Sequence, residues 1–195
     1  MSAKSRAPKK SARPARKKAA RKAAAKVDPL NRKGYTSISP LLAVRDMRRA
    51  VDFYVKALGF KLRGLMDGPQ GPVHAELRLR DTTLMLSPED PAQHSFGAKT
   101  IGNTPVTLYI LVENVDDVFK RAVSAGASTA MPVTNQFWGD RAGMIIDPEG
   151  NKWMIATHKA DPTPAEMAEA MQRMMAQAPA AESARAAAAG SESEY

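Results

Sequence analysis

His74 and Glu76 stand two residues apart in Val73–Arg80, a stretch in which apolar and polar residues alternate. Alternation of this kind predicts a β-strand with successive side chains on opposite faces, so His74, Glu76 and Arg78 share one face. An imidazole beside a carboxylate can bind a metal, act as a general base with an orienting acid, or contact a ligand. Such a pair can also form a polar strand face with a cross-strand ion pair to an Arg. The residues alone leave these interpretations open.

A second group of chemically versatile residues lies in Phe137–Arg141, where Trp138, Asp140 and Arg141 follow one another closely. An aromatic ring and a guanidinium suit a planar or anionic ligand. An Asp-Arg pair can equally fix a loop through charge-assisted hydrogen bonds. The turn sequence Asp147–Asn151 then joins two strand-like runs, which predicts a hairpin.

Several classes of chemistry are excluded by what the chain lacks. It has no Cys, so it has no disulfides, no thiolate nucleophile and no Cys-bound metal. It contains no Gly-x-Ser-x-Gly motif of a serine hydrolase. No run approaches the roughly 20 apolar residues of a membrane span, and no apolar signal-peptide region follows the basic start. We therefore expect a cytoplasmic protein with no membrane partner.

The net charge of +9 is concentrated in residues 1–27, which contain eleven Lys and Arg and no acid. Because this segment carries +11, the rest of the chain carries −2. Residues 1–33 have too few large apolar side chains to offset the entropy of ordering, which predicts a disordered basic tail. Its cations could bind DNA phosphates without sequence preference and make the protein nucleoid-associated; a solubilising tail is the alternative. The cations predicted to contact nucleic acid are Lys9, Lys10, Arg13, Arg16, Lys17, Lys18, Arg21 and Lys22.

An internal repeat dominates the middle of the chain. Leu41–Asp46 precedes a helical pattern of apolar residues that stops at Gly59, and Tyr109–Asn114 precedes a similar pattern that stops at Gly126. The last residue of each run is an N-cap type, the two are 68 residues apart, and both glycines are suitable C-caps.

Three strand-like runs follow each predicted helix. They lie at about 60–66, 72–80 and 82–87 in the first copy, and at about 128–133, 140–147 and 152–158 in the second. Each copy is therefore predicted to be a βαβββ module, at about residues 35–90 and 104–160. Two such modules, each with one amphipathic helix per sheet, should pack into a single α+β domain over residues 34–160.

A C-terminal helix is predicted over residues 161–177. Thr163 and Glu166 have the spacing of a capping box, with Pro164 at the first helical position. The helix carries methionines at the spacing of one face, a stripe typical of a helix that docks on its own core or on a dimer partner. These methionines are Met167, Met171, Met174 and Met175. Residues 178–195 are predicted to be a second disordered tail.

Short motifs recur in a fixed order along the two modules. They are Val44–Asp46, Phe53–Tyr54, Leu58–Phe60, Val112–Val118, Ala125–Ala127 and Asp147–Gly150. With the duplication, they resemble the vicinal oxygen chelate superfamily, which includes glyoxalase I, extradiol dioxygenases and bleomycin-resistance proteins. Four further motifs are similar to its PhnB-like group: His74–Leu77, Leu84–Leu86, Thr104–Val106 and Phe137–Arg141. The resemblance spans about residues 35–160.

The resemblance also indicates where a metal would be expected. Enzymes of this superfamily take one ligand, His, Gln or Glu, from the first and last strand of each module. The corresponding residues here are Ser39, Met85, Thr107 and Met154. Two hydroxyls and two thioethers do not suit a divalent ion that needs imidazole or carboxylate donors, so we expect no cofactor. A divalent metal moved to His74 and Glu76 is the alternative.

Strand parity, the alternation of successive side chains between the two faces of a strand, predicts which residues lie on the concave side of the sheets. Together with the resemblance, it leads us to predict metal-independent binding of a hydrophobic or aromatic small molecule on that side. We also expect a homodimer, formed through the sheets or the C-terminal helix. The alternatives are a metal-dependent lyase or dioxygenase of the same superfamily, and a DNA-associated accessory protein acting through residues 1–27. The predicted ligand-binding residues are His74, Glu76, Met85, Thr107, Tyr109, Trp138, Arg141 and Met154, with His158 on the same side at a strand end.

Overall fold

The computed structural model describes residues 28–31 and 34–176. The chain divides into two units between residues 31 and 32. In the first, residues 28–31 form a turn in which the Asn31 amide donates to the Asp28 carbonyl over 3.0 Å. The two predicted disordered tails, and the DNA contacts predicted for the first of them, fall almost wholly outside the described residues. Everything that follows concerns the second unit.

The second unit contains two modules with the same order of elements. In module 1 these are β1 (Leu41–Val44), α1 (Met47–Lys56), β2 (Lys61–Gly68), β3 (Gly71–Leu79) and β4 (Thr82–Pro88). A 3₁₀ turn (Pro91–Gln93) and the short helix α2 (Ala98–Ile101) connect the modules. In module 2 they are β5 (Thr107–Leu111), α3 (Val115–Ser124), β6 (Ser128–Asn135), β7 (Asp140–Ile146) and β8 (Lys152–His158). Residues 164–176 form a further helix, α4.

Each module forms one four-stranded mixed sheet. The strand orders are β1-β4-β3-β2 and β5-β8-β7-β6, with the first strand parallel to the last and the other pairs antiparallel. The predicted α+β fold with tandem βαβββ modules is therefore confirmed.

The two principal helices begin and end where the sequence indicates. The Asp46 carboxylate accepts from the Arg49 amide over 3.0 Å, and the Asn114 side chain accepts from the amides of residues 116 and 117. These side chains satisfy amides that the first turn of a helix leaves without partners. Gly59 and Gly126 follow the helices with φ of 81° and 102°, a left-handed conformation that only glycine adopts without strain.

The core lies between each sheet and its helix and continues from one module into the other. In α1, Tyr54 is fully buried; its ring lies 5.3 Å from that of Trp153 in β8, and Phe60 packs edge-on against the same indole at 5.9 Å. Large aromatic surfaces buried in this way supply much of the stabilising free energy of a domain. Module 1 and module 2 thus share one aromatic cluster.

The turn between β7 and β8 also joins the two modules. The buried Asp147 carboxylate accepts from the Tyr54 hydroxyl over 2.7 Å and from the Trp153 indole N–H over 2.9 Å. The buried Glu149 carboxylate accepts from the Arg45 amide, at the end of β1, over 2.7 Å. The predicted hairpin turn is present, and two of its carboxylates hold groups of module 1.

Helix α4 presents most of its methionines to solvent. The Glu166 carboxylate accepts from the Thr163 amide over 2.7 Å, and the Glu166 amide donates back to the Thr163 hydroxyl over 3.3 Å, so the capping box is formed. Met171, Met174 and Met175 are 40%, 52% and 66% exposed. Of the helices in the described part of the chain, none is long and apolar enough to cross a membrane.

Candidate functional site

Strand register defines one polar face on the first sheet, which we call the module 1 face. Glu76 lies opposite Met85, and Arg78 lies opposite Thr83, on neighbouring strands. Arg63 reaches the same side because the β2–β3 register shifts between Leu62 and Gly64. The module 1 face consists of Arg63, His74, Glu76, Arg78, Thr83 and Met85.

The chain segment before β1 covers part of the module 1 face. The buried Gly34 carbonyl oxygen accepts from Arg63 Nη1 over 2.8 Å, from Arg78 Nη1 over 2.9 Å and from the Thr83 hydroxyl over 3.2 Å. The Tyr35 hydroxyl donates to Glu76 Oε1, and the Arg63 guanidinium lies 5.5 Å from the centre of the Tyr35 ring. This hydrogen bond raises the pKa of Tyr35, with burial contributing in the same direction.

The structure keeps His74 and Glu76 together but gives Glu76 several partners. Besides Tyr35, the Glu76 carboxylate lies 3.5 Å from Arg63 Nη1 and 3.7 Å from His74 Nε2. Both side chains are only partly buried. The predicted cross-strand ion pair to an arginine is present, and a segment that the strand pattern did not indicate lies over the carboxylate.

The second sheet has a different surface, the module 2 face. Tyr109 lies opposite Met154, Met154 opposite Met144, and Met144 opposite Met131, so one row of side chains crosses all four strands. The three methionines are half-buried and Tyr109 is 49% exposed. Leu111 continues this side of β5, and Thr107 lies exposed at its beginning. The module 2 face consists of Thr107, Tyr109, Leu111, Met131, Met144 and Met154.

A buried carboxylate lies at one end of the module 2 face. Asp140 Oδ2 accepts from the Tyr109 hydroxyl and, over 3.1 Å, from the Trp138 indole N–H. His158 Nδ1 lies 2.9 Å from Asp140 Oδ1, and its Nε2 lies 3.1 Å from Asp161. We call Tyr109, Trp138, Asp140 and His158 the Asp140 network. It fixes the positions of two aromatic side chains beside the methionines.

Electrostatics agree with an ionised carboxylate in this network. Burial alone raises the pKa of Asp140, but hydrogen bonds from its three partners together hold that pKa below its ordinary value. The hydrogen bond to Asp140, followed by that to Asp161, raises the pKa of His158. Burial, followed by the hydrogen bond to Asp140, raises the pKa of Tyr109. The network therefore favours a negative Asp140 beside a protonated His158.

Asp140 was not among the predicted ligand-binding residues, although parity could have identified it. Residues 140 and 158 are directly opposite in the β7–β8 ladder, so Asp140 shares the face on which His158 was predicted. The alternating pattern gives the face of each residue within its own strand. It does not give the register between strands, which brings Asp140 and His158 together although they are 18 positions apart in the sequence.

The structure places Arg141 on the opposite face of the sheet from the module 2 face. Its guanidinium makes a bidentate ion pair with Asp116, in the first turn of α3, over 2.7 and 2.9 Å. Of the two predicted interpretations of the Asp-Arg pair, loop fixation fits this geometry, although the partner of Arg141 is Asp116 rather than Asp140. The proposed contact between Arg141 and a ligand on the concave side is not compatible with this orientation.

The four family ligand positions do not provide donors for a divalent cation. Met85 and Met154 offer thioethers, and Thr107 offers an exposed hydroxyl. The Ser39 hydroxyl oxygen is buried and has no hydrogen-bond partner within the described residues. Within residues 28–31 and 34–176, no group of three or more His, Asp or Glu side chains could hold a metal ion. A hard or borderline cation therefore does not fit these positions.

The fold and its motifs define the class of protein. Residues 35–155 match the model of the Glyoxalase/Bleomycin resistance protein/Dioxygenase superfamily. The chain belongs to this superfamily.

Similar proteins extend this finding. An uncharacterised protein of Mycobacterium bovis is 40% identical over 123 residues, which cover 61% of this chain and 81% of that protein. The crystal structure of TioX from Micromonospora sp. ML1 is 29% identical with a TM-score of 0.52, covering 63% of this chain and 98% of TioX. The structure of a gene product from Arabidopsis thaliana is 25% identical in sequence, with a TM-score of 0.52. This match covers 63% of this chain and 98% of the Arabidopsis chain. The likeness extends across nearly the whole of both solved chains and only part of this one.

Proposed function

We propose that this protein binds a hydrophobic or aromatic small molecule on the module 2 face without a metal ion. The observation that carries the proposal is the row of Met131, Met144, Met154 and Tyr109, partly open to solvent and ending at the Asp140 network. Binding sites for small molecules are typically apolar surfaces with a few well-placed polar groups. Within the superfamily, the motifs named above favour the PhnB-like group.

The chemistry of the side chains supports this type of ligand. Methionine is unbranched and polarisable, so three of them can adapt to a ring system of irregular shape and contact its edges. Tyr109 and Trp138 provide aromatic surfaces, and their polar atoms are already bonded to Asp140. An aromatic ligand would therefore meet positioned rings and would not leave a buried donor unpaired.

Membership in the superfamily does not decide between binding and catalysis, because one fold can carry both. The alternative of a metal-dependent lyase or dioxygenase requires nitrogen or carboxylate ligands. The family positions lack them, and Glu76 already accepts from Tyr35. The homodimer and the association of residues 1–27 with nucleic acid stay predictions.

The proposal can be tested with N-phenyl-1-naphthylamine, an uncharged aromatic probe whose fluorescence rises in apolar surroundings. We expect saturable binding to the full chain and a loss of affinity of at least about tenfold in Met154→Lys, because the substitution places a charge in the centre of the apolar row. Met174→Lys is the matched control. It introduces the same charge at an exposed methionine of α4 and should leave binding unchanged.

Circular dichroism and thermal unfolding should show that both variants are folded, since partly unfolded states also bind this probe. Equal binding by the wild type and by folded Met154→Lys and Met144→Lys variants would contradict the proposed site.

A further inference from the structure

The module 1 face concentrates hydrogen-bond donors around a single neutral acceptor. Two guanidinium groups and one hydroxyl converge on the Gly34 carbonyl oxygen at 2.8, 2.9 and 3.2 Å. A peptide carbonyl needs no more than two donors, and neither of them has to be charged. Charge-assisted hydrogen bonds are strongest when the acceptor is itself an anion. The cluster is thus better matched to an anionic oxygen than to the group that it holds.

The charges on this face also do not balance. The Arg63 guanidinium has a carboxylate partner, Glu76, at 3.5 Å. Arg78 donates from Nη1 to the Gly34 carbonyl and from Nε to the Arg80 carbonyl over 2.9 Å, and it has no ion-pair partner among the residues described. Two guanidinium groups therefore share one carboxylate. The face can accept one further negative charge.

The covering segment has the layout of a bound ligand. It presents a carbonyl oxygen to the three donors, the face of a phenol ring to the Arg63 guanidinium carbon at 5.5 Å, and a phenol hydroxyl to Glu76. The atoms between the Gly34 carbonyl and the Tyr35 hydroxyl are an amide nitrogen, two saturated carbons and the ring. A free compound with this spacing could occupy the same positions.

We propose that the module 1 face is a second ligand site, for a phenol that carries a carboxylate on a short saturated chain. In this structure the chain's own residues Gly34 and Tyr35 occupy the site and stand in for that ligand. The carboxylate would take the place of the Gly34 carbonyl between Arg63 and Arg78, and the phenol hydroxyl would donate to Glu76. The site is separate from the module 2 face and does not depend on binding there.

The covering segment must leave before a ligand can enter, and this requirement sets the expected affinities. A tethered segment competes with an effective concentration on the order of millimolar. When only a fraction of the molecules is open, the apparent dissociation constant rises by the inverse of that fraction. Removal of the Tyr35 ring and hydroxyl should therefore strengthen binding of the free ligand.

The test uses two probes in isothermal titration calorimetry with the full chain. The anionic probe is 4-(4-hydroxyphenyl)butanoate, which keeps the same number of atoms between its carboxylate carbon and the ring. The neutral probe is N-acetyltyramine, which reproduces the covering segment from the carbonyl to the hydroxyl. We expect the Tyr35→Ala variant to bind the anion at least about tenfold more tightly than the wild type does. In that variant the anion should also bind more tightly than the neutral probe.

The role of the unpaired guanidinium is tested in the Tyr35→Ala background. Arg78→Gln should abolish the preference for the anion, whereas Arg80→Gln, a control at an exposed arginine two residues away, should retain it. Tyr35→Phe keeps the ring but not the hydroxyl and should give a smaller gain in the same direction. It serves as the test if thermal unfolding shows that Tyr35→Ala does not fold.

The proposal is overturned if neither Tyr35 variant binds the anion more tightly than the wild type, or if the neutral probe binds as well as the anion. Met154→Lys separates this site from the module 2 face. It should leave binding of 4-(4-hydroxyphenyl)butanoate unchanged, and a parallel loss would assign that probe to the module 2 face instead.

Discussion

Met85 and Met154 occupy equivalent positions on the last strands of their modules, β4 and β8. Each is paired with the first strand of its module, Met85 with Leu41 and Met154 with Tyr109. Their surroundings differ. Met85 has Glu76 on its other side, within a polar cluster that Gly34 and Tyr35 cover. Met154 has Met144 on its other side, within an apolar row that is partly open to solvent.

The comparison shows that duplication fixes the sheet and leaves the two faces free to diverge. The segment before β1 lies on the module 1 face. Its counterpart before β5, around Asn103, is exposed, and the Asn103 side chain accepts a hydrogen bond from Lys152 of β8. Conversely, the turn after β7 is long and buried against module 1, while the turn after β3 is short and exposed. Each module therefore contributes one feature that the other lacks.

The largest effect on stability is expected at Asp147, the residue of module 2 whose carboxylate accepts a hydrogen bond from Tyr54 of module 1. Asp147→Ala would leave the buried Tyr54 hydroxyl and Trp153 N–H without an acceptor, along with two turn amides at 2.9 Å. We expect a loss of at least about 4 kcal/mol in the free energy of unfolding, since four donors lose their acceptor and each buried unsatisfied donor costs about 1–3 kcal/mol. Urea unfolding monitored by tryptophan fluorescence measures it.

Asp81→Ala provides the matched control, because Asp81 lies in the exposed turn at the corresponding place in module 1. Its effect should stay within about 0.5 kcal/mol, as is usual for surface substitutions. Equal effects of the two substitutions would mean that the β7–β8 turn does not join the modules as the contacts indicate.

The sequence predicted the fold well because the signals for the fold are local. Asp46 and Asn114 mark helix starts, Gly59 and Gly126 follow the helix ends, and the strands alternate with period two. Each of these features is set by neighbours within a few residues, so one sequence was sufficient. The duplication then fixed the order of the elements, and the predicted strand limits differ from those observed by at most three residues.

The candidate site was less predictable because its contacts join distant residues. Tyr35 reaches Glu76 across 41 positions of sequence, and Arg141 reaches Asp116 across 25. No periodicity encodes such pairs. Parity placed Met154 and Tyr109 on one face correctly, but it could not show that Gly34 and Tyr35 cover Glu76, since a segment without regular structure has no repeating pattern.

Helix α4 follows module 2 only, and its exposed methionines allow the predicted homodimer to be examined. If this stripe is the dimer surface, Met171→Glu with Met175→Glu should raise the dimer dissociation constant by at least about tenfold, because charges replace apolar contacts. Size-exclusion chromatography with light scattering gives the mass. Ala176→Glu, which adds charge away from the stripe, should leave the mass unchanged. If the wild type is a monomer, or if its dimer is unaffected by the methionine substitutions as well as by Ala176→Glu, helix α4 is not the dimer surface.

The Asp140 network predicts a pH response within module 2. Its hydrogen bonds raise the pKa of His158 above the ordinary value in the folded state. A raised folded-state pKa stabilises the fold fully below the unfolded value near 6.5, and this contribution is lost as the pH rises through the folded-state value. In an NMR titration, Asp140→Asn should lower the His158 midpoint more than Asp161→Asn does, because Asp140 is the larger cause. The reverse order would show that the buried carboxylate is not the main partner.

The smallest effect on binding is expected at Arg141, and it distinguishes the two faces of the second sheet. The Arg141 guanidinium is committed to Asp116 on the helix side, whereas Tyr109 and Trp138 are held by Asp140 on the other side. Arg141→Ala should therefore leave the affinity for N-phenyl-1-naphthylamine unchanged and lower the unfolding midpoint slightly, since surface ion pairs contribute little. Asp140→Ala should weaken binding, because it releases both aromatic side chains from their positions. If Arg141→Ala weakened binding as much as Asp140→Ala, the ligand would contact the helix side, and the module 2 face would no longer explain recognition.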